Sequence, residues 1–334
     1  MTRTPARTLY FTDPREVTVR ERSVPDPDAG QVRVRTERSA ISSGTELLVY
    51  RNEVPSDIEI DETIDALDGT LSYPLQYGYA AVGRVTAVGH SVDPDWEGRR
   101  VFAFHPHESH FLASPEDIVP VDYDPRRAAL LANAEAATNF VMDGQPRIGE
   151  QVAVFGQGTL GLLTTALLAQ FPLETLVTVD RYERRRAVSE ALGADVSVDS
   201  TAAVEEHLGG DGADITFEVS GNPNALEDAI GVTGYAGQVI VGSWYGAKPA
   251  TLELGGEYHR SHIRVRSSQV SRVDPDHAGR WDKDRRLDLV RRRLAGLETD
   301  RIVTHEFPVE RAGEAYELLG DSPEEAICVL LTYG

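Results

Sequence analysis

QVAVFGQGTLGLLTTALLAQFPLETLVTVD, residues 151–180, reads as one complete unit of strand, glycine turn, helix and second strand. Residues Gln151 to Phe155 form a short β-branched run. Gly156, Gly158 and Gly161 then supply a G-x-G-x-x-G spacing, with Thr159 and Leu160 in the first helical turn. In such a turn one glycine makes the tight bend, one lets the backbone approach a pyrophosphate, and one lets the helix pack closely on the strand. The helix N-terminus offers unpaired N–H groups and about half a positive charge to the phosphates. Leu176 to Val179 give the second strand, and Asp180 ends it where a carboxylate can accept from the ribose hydroxyls. A glycine triplet alone would be weak evidence. The flanking strand, the helix and the acid at the right distance make it a dinucleotide site.

A length of 334 residues predicts two domains, and 41% hydrophobic residues fit a water-soluble chain. The first ten residues hold no apolar segment of the kind a secretory signal needs, and the longest apolar stretch, Leu160 to Phe171, is too short to span a bilayer. A cytoplasmic protein with no membrane partner is the expectation. Cys328 is the single cysteine, which excludes an intrachain disulfide and a four-cysteine zinc site. Acidic residues number 54 against 33 basic ones, a net charge of -21, and Lys248 and Lys283 are the only lysines. An acidic, lysine-poor surface suits a halophilic setting, where molar salt screens self-repulsion. It also makes nucleic acid an improbable partner.

Upstream of the fingerprint, residues 1 to 125 read as β-rich. Val17 to Arg20 and Gln31 to Thr36 are strands joined by the turn cluster PDPDAG, and Arg38 to Tyr50 passes into a short helix capped near Thr45. Ser56 to Gly69 reads as a surface loop with a helical turn. Tyr77 to Val88 and Arg100 to Phe104 are further strands, and Asp124 to Asp143 is an alanine-rich helix. Downstream, helix Tyr182 to Leu192, strand Asp214 to Val219, helix Asn224 to Ile230 and strand Gln238 to Val241 alternate, which predicts a parallel, doubly wound sheet. Ile263 to Ser267 is a last strand and Asp284 to Leu297 a charged helix. A helix at Ala312 to Leu319 and a strand at Ile327 to Leu331 return to the first region.

This order of parts resembles the medium-chain dehydrogenase/reductase superfamily, the relatives of zinc alcohol dehydrogenase. The matching stretches are ISSGTE at 41–46, YPLQYGYAAVGRV at 73–85, GRRVFAF at 98–104, the fingerprint, and ALGAD at 191–195. The first two are similar to bacteriochlorophyllide hydroxyethyl dehydrogenases. SSQV at 267–270 and RWDKDRR at 280–286 resemble uncharacterised zinc-binding dehydrogenases. The resemblance implies an α/β chain: a Rossmann sheet over 126–303 and a β-rich, GroES-like catalytic domain over 1–125 and 304–334, assembled as a homodimer or homotetramer. It also implies hydride transfer between nicotinamide and a small alcohol or carbonyl substrate.

In zinc members the metal is held by a cysteine, by the histidine of a G-H-E motif and by a later cysteine or glutamate. Here those places hold Ser43, Tyr79 and Glu135, and Thr45 falls at the proton-relay hydroxyl. Serine and a protonated phenol are poor zinc ligands, so no metal ligands are assigned. Two alternatives stay open: a relocated zinc site at His105, His107 and His110, and a dinucleotide-binding sensor without catalysis. For the metal-free reaction Tyr79 is the proton donor, Thr45 the relay, His107 the link to solvent, and Glu135 orients Tyr79 or His107. Asp180 favours NAD, while Arg181 and the arginines at 184–186 make NADP conceivable. Ser220, Gly242 and Ser243 belong to the nicotinamide end, with Trp244 and Tyr245 beside them.

Overall fold

The computed structural model describes residues 3–55, 64, 66, 67 and 69–334. Most of the loop expected at 56–69 lies outside the described residues. The chain separates into two compact units, Met1–Ala132 with Val303–Gly334, and Asn133–Ile302.

The first unit opens with β1 (Thr4–Asp13) and β2 (Glu16–Val24), an antiparallel pair. β3 (Val32–Ile41) leads through Ser42 into α1 (Ser43–Tyr50), followed by β4 (Ala81–Val88), β5 (Arg100–Ala103), β6 (His110–Ala113), β7 (Ile118–Pro120) and α2 (Pro125–Ala128). The strand expected at 17–20 is therefore present, within β2, and pairs with β1. Ser42 is the N-cap of α1, without a side-chain cap bond, and Thr45 sits inside the first turn. Instead, the Glu46 carboxylate, one position beyond that of a capping-box glutamate, reaches back to accept from the Ser42 backbone N–H at 2.7 Å.

The second unit begins within α3 (Leu131–Gly144). The expected helix over 124–143 is in fact two helices, α2 and α3. β8 (Gln151–Phe155), α4 (Thr159–Leu168), β9 (Thr175–Val179), α5 (Glu183–Ala191), β10 (Val196–Val198) and α6 (Thr201–Glu205) follow. Then come β11 (Ala213–Glu218), α7 (Asn224–Val232), β12 (Thr233–Val241), α8 (Glu257–Arg260), β13 (Arg264–Ser267) and α9 (Lys283–Gly296). The six strands pair in the order β10-β9-β8-β11-β12-β13, all parallel. This is the doubly wound arrangement whose strand order reverses beside β8. The central strands are buried on both faces: Val152, Ala153 and Val154 are fully covered, as parallel sheets with helices on both sides require.

The chain returns to the first unit as β14 (Val303–Pro308), α10 (Ala312–Asp321) and β15 (Cys328–Thr332). β15 pairs antiparallel with β3, which completes a sheet of order β14-β15-β3-β4-β5-β7, with β6 also on β3. Its apolar cluster joins β1, α1 and α10 through Leu9, Phe11, Leu48, Tyr316 and Leu331.

In the second unit Arg286 of α9 is fully buried. It donates to Glu135 Oε1 at 2.8 and 3.2 Å and to Asn139 Oδ1 at 2.5 Å, both on α3, and to the Val270 carbonyl. Removing one member of such a pair leaves the other charge uncompensated, at a cost of about 3–5 kcal/mol. Arg286→Met should lower unfolding stability by roughly that amount in a urea titration; a loss below about 1 kcal/mol would mean that the ion pair does not hold α9 to α3.

Candidate functional site

The fingerprint forms a glycine cradle in the second unit. Gly156 takes φ of +93°, and a Cβ there would lie 2.5 Å from the Ser220 backbone, so only glycine fits. A Cβ on Gly161 would lie 1.8 Å from the Gly156 carbonyl, which is the close approach of helix to strand. Around Gly158 the case differs: its added Cβ would meet nothing within 4 Å, and Gly158 is the N-cap of α4 with no side-chain cap bond. The cradle thus leaves open space in front of helix N–H groups, the feature a pyrophosphate needs. Thr159 is buried and Leu160 half-buried in the opening turn.

Asp180 stands at the end of β9 and is almost fully buried. One carboxylate oxygen accepts from the Gln157 N–H at 2.7 Å and the other from the Tyr182 N–H at 2.9 Å. Arg185 approaches to 3.8 Å, and Arg186 donates to the Asp180 carbonyl at 2.9 Å. Arg181 and Arg185 both lie over the Tyr182 ring, at 4.6 and 4.8 Å from its centroid. Arg181, Arg185 and Arg186 are therefore engaged with Asp180 or Tyr182.

At the carboxyl ends of β11 and β12 the organising group is Glu218, which the sequence reading did not single out. It is fully buried; its carboxylate accepts from the Ser220 N–H at 2.9 Å and from the Ser220 and Tyr245 hydroxyls. Burial and the Glu218 carboxylate both push the Tyr245 phenol up, so it stays a donor. Ser243 Oγ accepts from the Gly221 N–H at 2.8 Å, and Lys248 donates to the Gly221 carbonyl at 2.8 Å. A Cβ on Gly242 would strike the Phe140 ring at 2.6 Å. Tyr245 is thus a bonded part of the strand ends, while Trp244 is 36% exposed.

In the first unit three hydroxyls meet. The partly buried Tyr79 hydroxyl donates to Ser42 Oγ at 2.5 Å and lies 3.3 Å from Thr45 Oγ1. Beside them lies a buried chain of polar groups. Glu46, fully buried, accepts from Ser42 N, from the Tyr316 hydroxyl at 2.5 Å and from His107 Nε2 at 2.9 Å. His107 Nδ1 lies 2.7 Å from Ser39 Oγ, itself 2.8 Å from the Tyr333 hydroxyl. With Nε2 donating to Glu46, Nδ1 accepts from Ser39 and Ser39 accepts from Tyr333, so every proton has a place. Burial and the nearby Glu46 carboxylate hold the Tyr316 phenol well above its ordinary range; burial raises Tyr333 too.

Several expected roles change on this geometry. His107 is fully buried with both ring nitrogens engaged, so it does not link Thr45 to solvent. Glu135 is held by Arg286, so it orients neither Tyr79 nor His107. The three histidines do not converge. His105 stacks on Phe111 with centroids 3.9 Å apart, and burial pushes it down to about 4; His110 Nδ1 faces Ser109 Oγ. Residues 104 to 109 are not a strand, so the alternation expected to align His105 with His107 does not exist. Among the described residues no group of three His, Cys, Asp or Glu could hold a metal ion. The inherited zinc positions do not fit one either: Tyr79 is spent on hydroxyls and Glu135 on a guanidinium.

Residues 159–281 match the zinc-binding dehydrogenase family. The chain is 27% identical over 284 residues to (R,R)-butanediol dehydrogenase of Bacillus subtilis strain 168, covering 75% of this chain and 78% of that protein. The rspB alcohol dehydrogenase of Escherichia coli CFT073, solved with NADH, superposes with a TM-score of 0.77 at 18% identity over 98% of this chain and 99% of that one. A zinc-binding dehydrogenase of Sinorhizobium meliloti 1021 bound to NADP gives 0.78 at 19% identity, over 99% of this chain and 100% of that one. No helix among the described residues is long and apolar enough to cross a membrane. Residues 159–281 are thus similar to the zinc-binding dehydrogenases, and the chain as a whole has the fold of the solved alcohol dehydrogenases it superposes on.

Proposed function

We propose that this enzyme transfers hydride between NAD and a small alcohol or carbonyl compound, with hydroxyl groups in place of a catalytic metal. The observation that carries the reading is the open cradle at Gly158, set at the amino end of α4 and beside the Asp180 carboxylate. The nicotinamide, when bound, supplies or accepts the hydride. Gly156, Gly158, Thr159, Leu160 and Gly161 hold the phosphates, and Ser220, Gly242 and Ser243 border the nicotinamide end. Asp180 puts a carboxylate where a 2'-phosphate would sit, and the arginines beside it are engaged, Arg181 and Arg185 over Tyr182 and Arg186 on the Asp180 carbonyl. Both features support NAD over NADP.

The chain's own part in the chemistry falls to Tyr79. Charge that develops on the substrate oxygen needs a positioned donor, and a phenol hydrogen-bonded to two further hydroxyls provides one. At rest its single proton lies on Ser42. When a substrate oxygen takes that proton, the hydroxyls of Ser42 and Thr45 can turn to donate to the phenol oxygen in its place. Glu46 fixes the Ser42 backbone and so positions the cluster, while His107 and Tyr316 hold Glu46. The rival reading, a dinucleotide sensor, gives no reason for two hydroxyls to converge on one partly exposed phenol.

The further expectations of a homodimer or homotetramer, a cytoplasmic setting and a halophilic surface belong to the same proposal. The edge strand β13, with Val265 36% exposed, supports pairing of nucleotide-binding units through strand edges.

Two variants test the assignments separately. Gly158→Ala puts a methyl group into open space, so it should leave the melting temperature of the cofactor-free protein unchanged while weakening NADH at least about tenfold in a fluorescence titration. Unchanged NADH affinity would remove the phosphates from that space. Tyr79→Phe should lower kcat by about 10²–10⁴-fold with NADH affinity intact; full turnover by the phenylalanine variant would refute the donor.

A further inference from the structure

At the amino end of β8, away from the fingerprint, the second unit holds a cavity of about 640 Å³. The whole length of α4 separates it from Gly158, about 15 Å for ten residues. Its walls are apolar at Val141 and Met142 of α3, Leu167 of α4, Phe171 just past α4 and Leu289 of α9, with Thr138, Gln145 and Gln170 between them. Phe171 is 39% exposed and Ile148, next to the rim, 83%. Such a size and lining suit a small molecule with an apolar body.

The charged lining is of one sign. Arg147 and Arg293 border the cavity, and no acidic residue lines it, in a chain with 54 acidic residues against 33 basic ones. Arg293 donates to Gln170 Oε1 at 3.4 Å, and Arg147 is bonded through its backbone N–H and carbonyl, both to Glu150. Among the described residues neither guanidinium has a carboxylate partner. Elsewhere the arginines pair readily, as Arg7 does with Glu310 and Arg311 with Glu314. Two uncompensated guanidinium forks at the mouth of an apolar cavity call for an anion with a hydrocarbon body.

We propose that this cavity is a second binding site, distinct from the dinucleotide cradle, for an aliphatic carboxylate. The tail lies against Val141, Leu167 and Leu289, and the carboxylate meets Arg147 and Arg293. A two-fold contact with a second copy is the less suitable occupant, because an isologous interface would bring these arginines against one another.

Calorimetric titration of the full chain with octanoate and with 1-octanol tests this without reference to turnover. Octanoate should bind saturably at one per chain and at least about tenfold tighter than octanol, the difference expected of charge-assisted hydrogen bonds. The double variant Arg147→Gln, Arg293→Gln should bring octanoate down to the affinity of octanol and leave NADH affinity unchanged. Equal binding of the two probes, no saturable binding of octanoate, or an unaltered double variant would overturn the proposal. So would sedimentation that shows an oligomer dissociated by Phe171→Glu, since a second copy would then fill the cavity.

Discussion

A carboxylate buried beyond the reach of water has to be surrounded by donors, or it costs several kcal/mol. Glu46 sits under that constraint in the first unit, and three donors answer it: the Ser42 N–H, His107 and Tyr316. Each comes from a different part of the chain, so the carboxylate ties the entrance of α1 to the segment before β6 and to α10. His107 in turn is packed so closely that a Cβ on Gly78 would lie 2.6 Å from its ring. The hydroxyl cluster of Ser42, Thr45 and Tyr79 rests on this frame. Its placement follows from a buried carboxylate that the chain's own donors hold in position.

The second unit solves a related problem with a different partner. Glu135, which falls at a metal-ligand place of the zinc relatives, is likewise buried, and burial pushes its carboxyl up against the pull of Arg286. The compensating cation is thus a side chain on α9. Asn139 then links that pair to Ser268 and Asp143. Of the places where zinc relatives carry ligands, the one in the second unit holds a buried, ion-paired carboxylate and the two in the first unit hold the hydroxyls of Ser43 and Tyr79.

How much of this could be read in advance follows from the range of each interaction. The fingerprint and the alternation after it were legible because glycine spacing and buried β-branched runs are local signals. β1 was not, since TPARTLYFTD alternates imperfectly and has buried positions in succession. β10 is only three residues long. Tyr79 and Thr45, singled out by their places in two separate motifs, lie 3.3 Å apart in the structure. Glu46 was missed because a glutamate in a first helical turn looks like a solvated residue. Its partners lie 61 and 270 positions away, and Arg286 lies 151 from Glu135, separations that carry no local pattern.

The central claim is that the hydroxyl cluster supports hydride transfer without a metal. The most direct measurement dialyses the full chain against a strong chelator, determines its zinc content, and follows NADH oxidation with a panel of small aldehydes and ketones. The account predicts turnover unchanged by chelation at well under one zinc per chain, and unchanged again when zinc is restored. Activity that falls with the chelated metal and returns with stoichiometric zinc would contradict it.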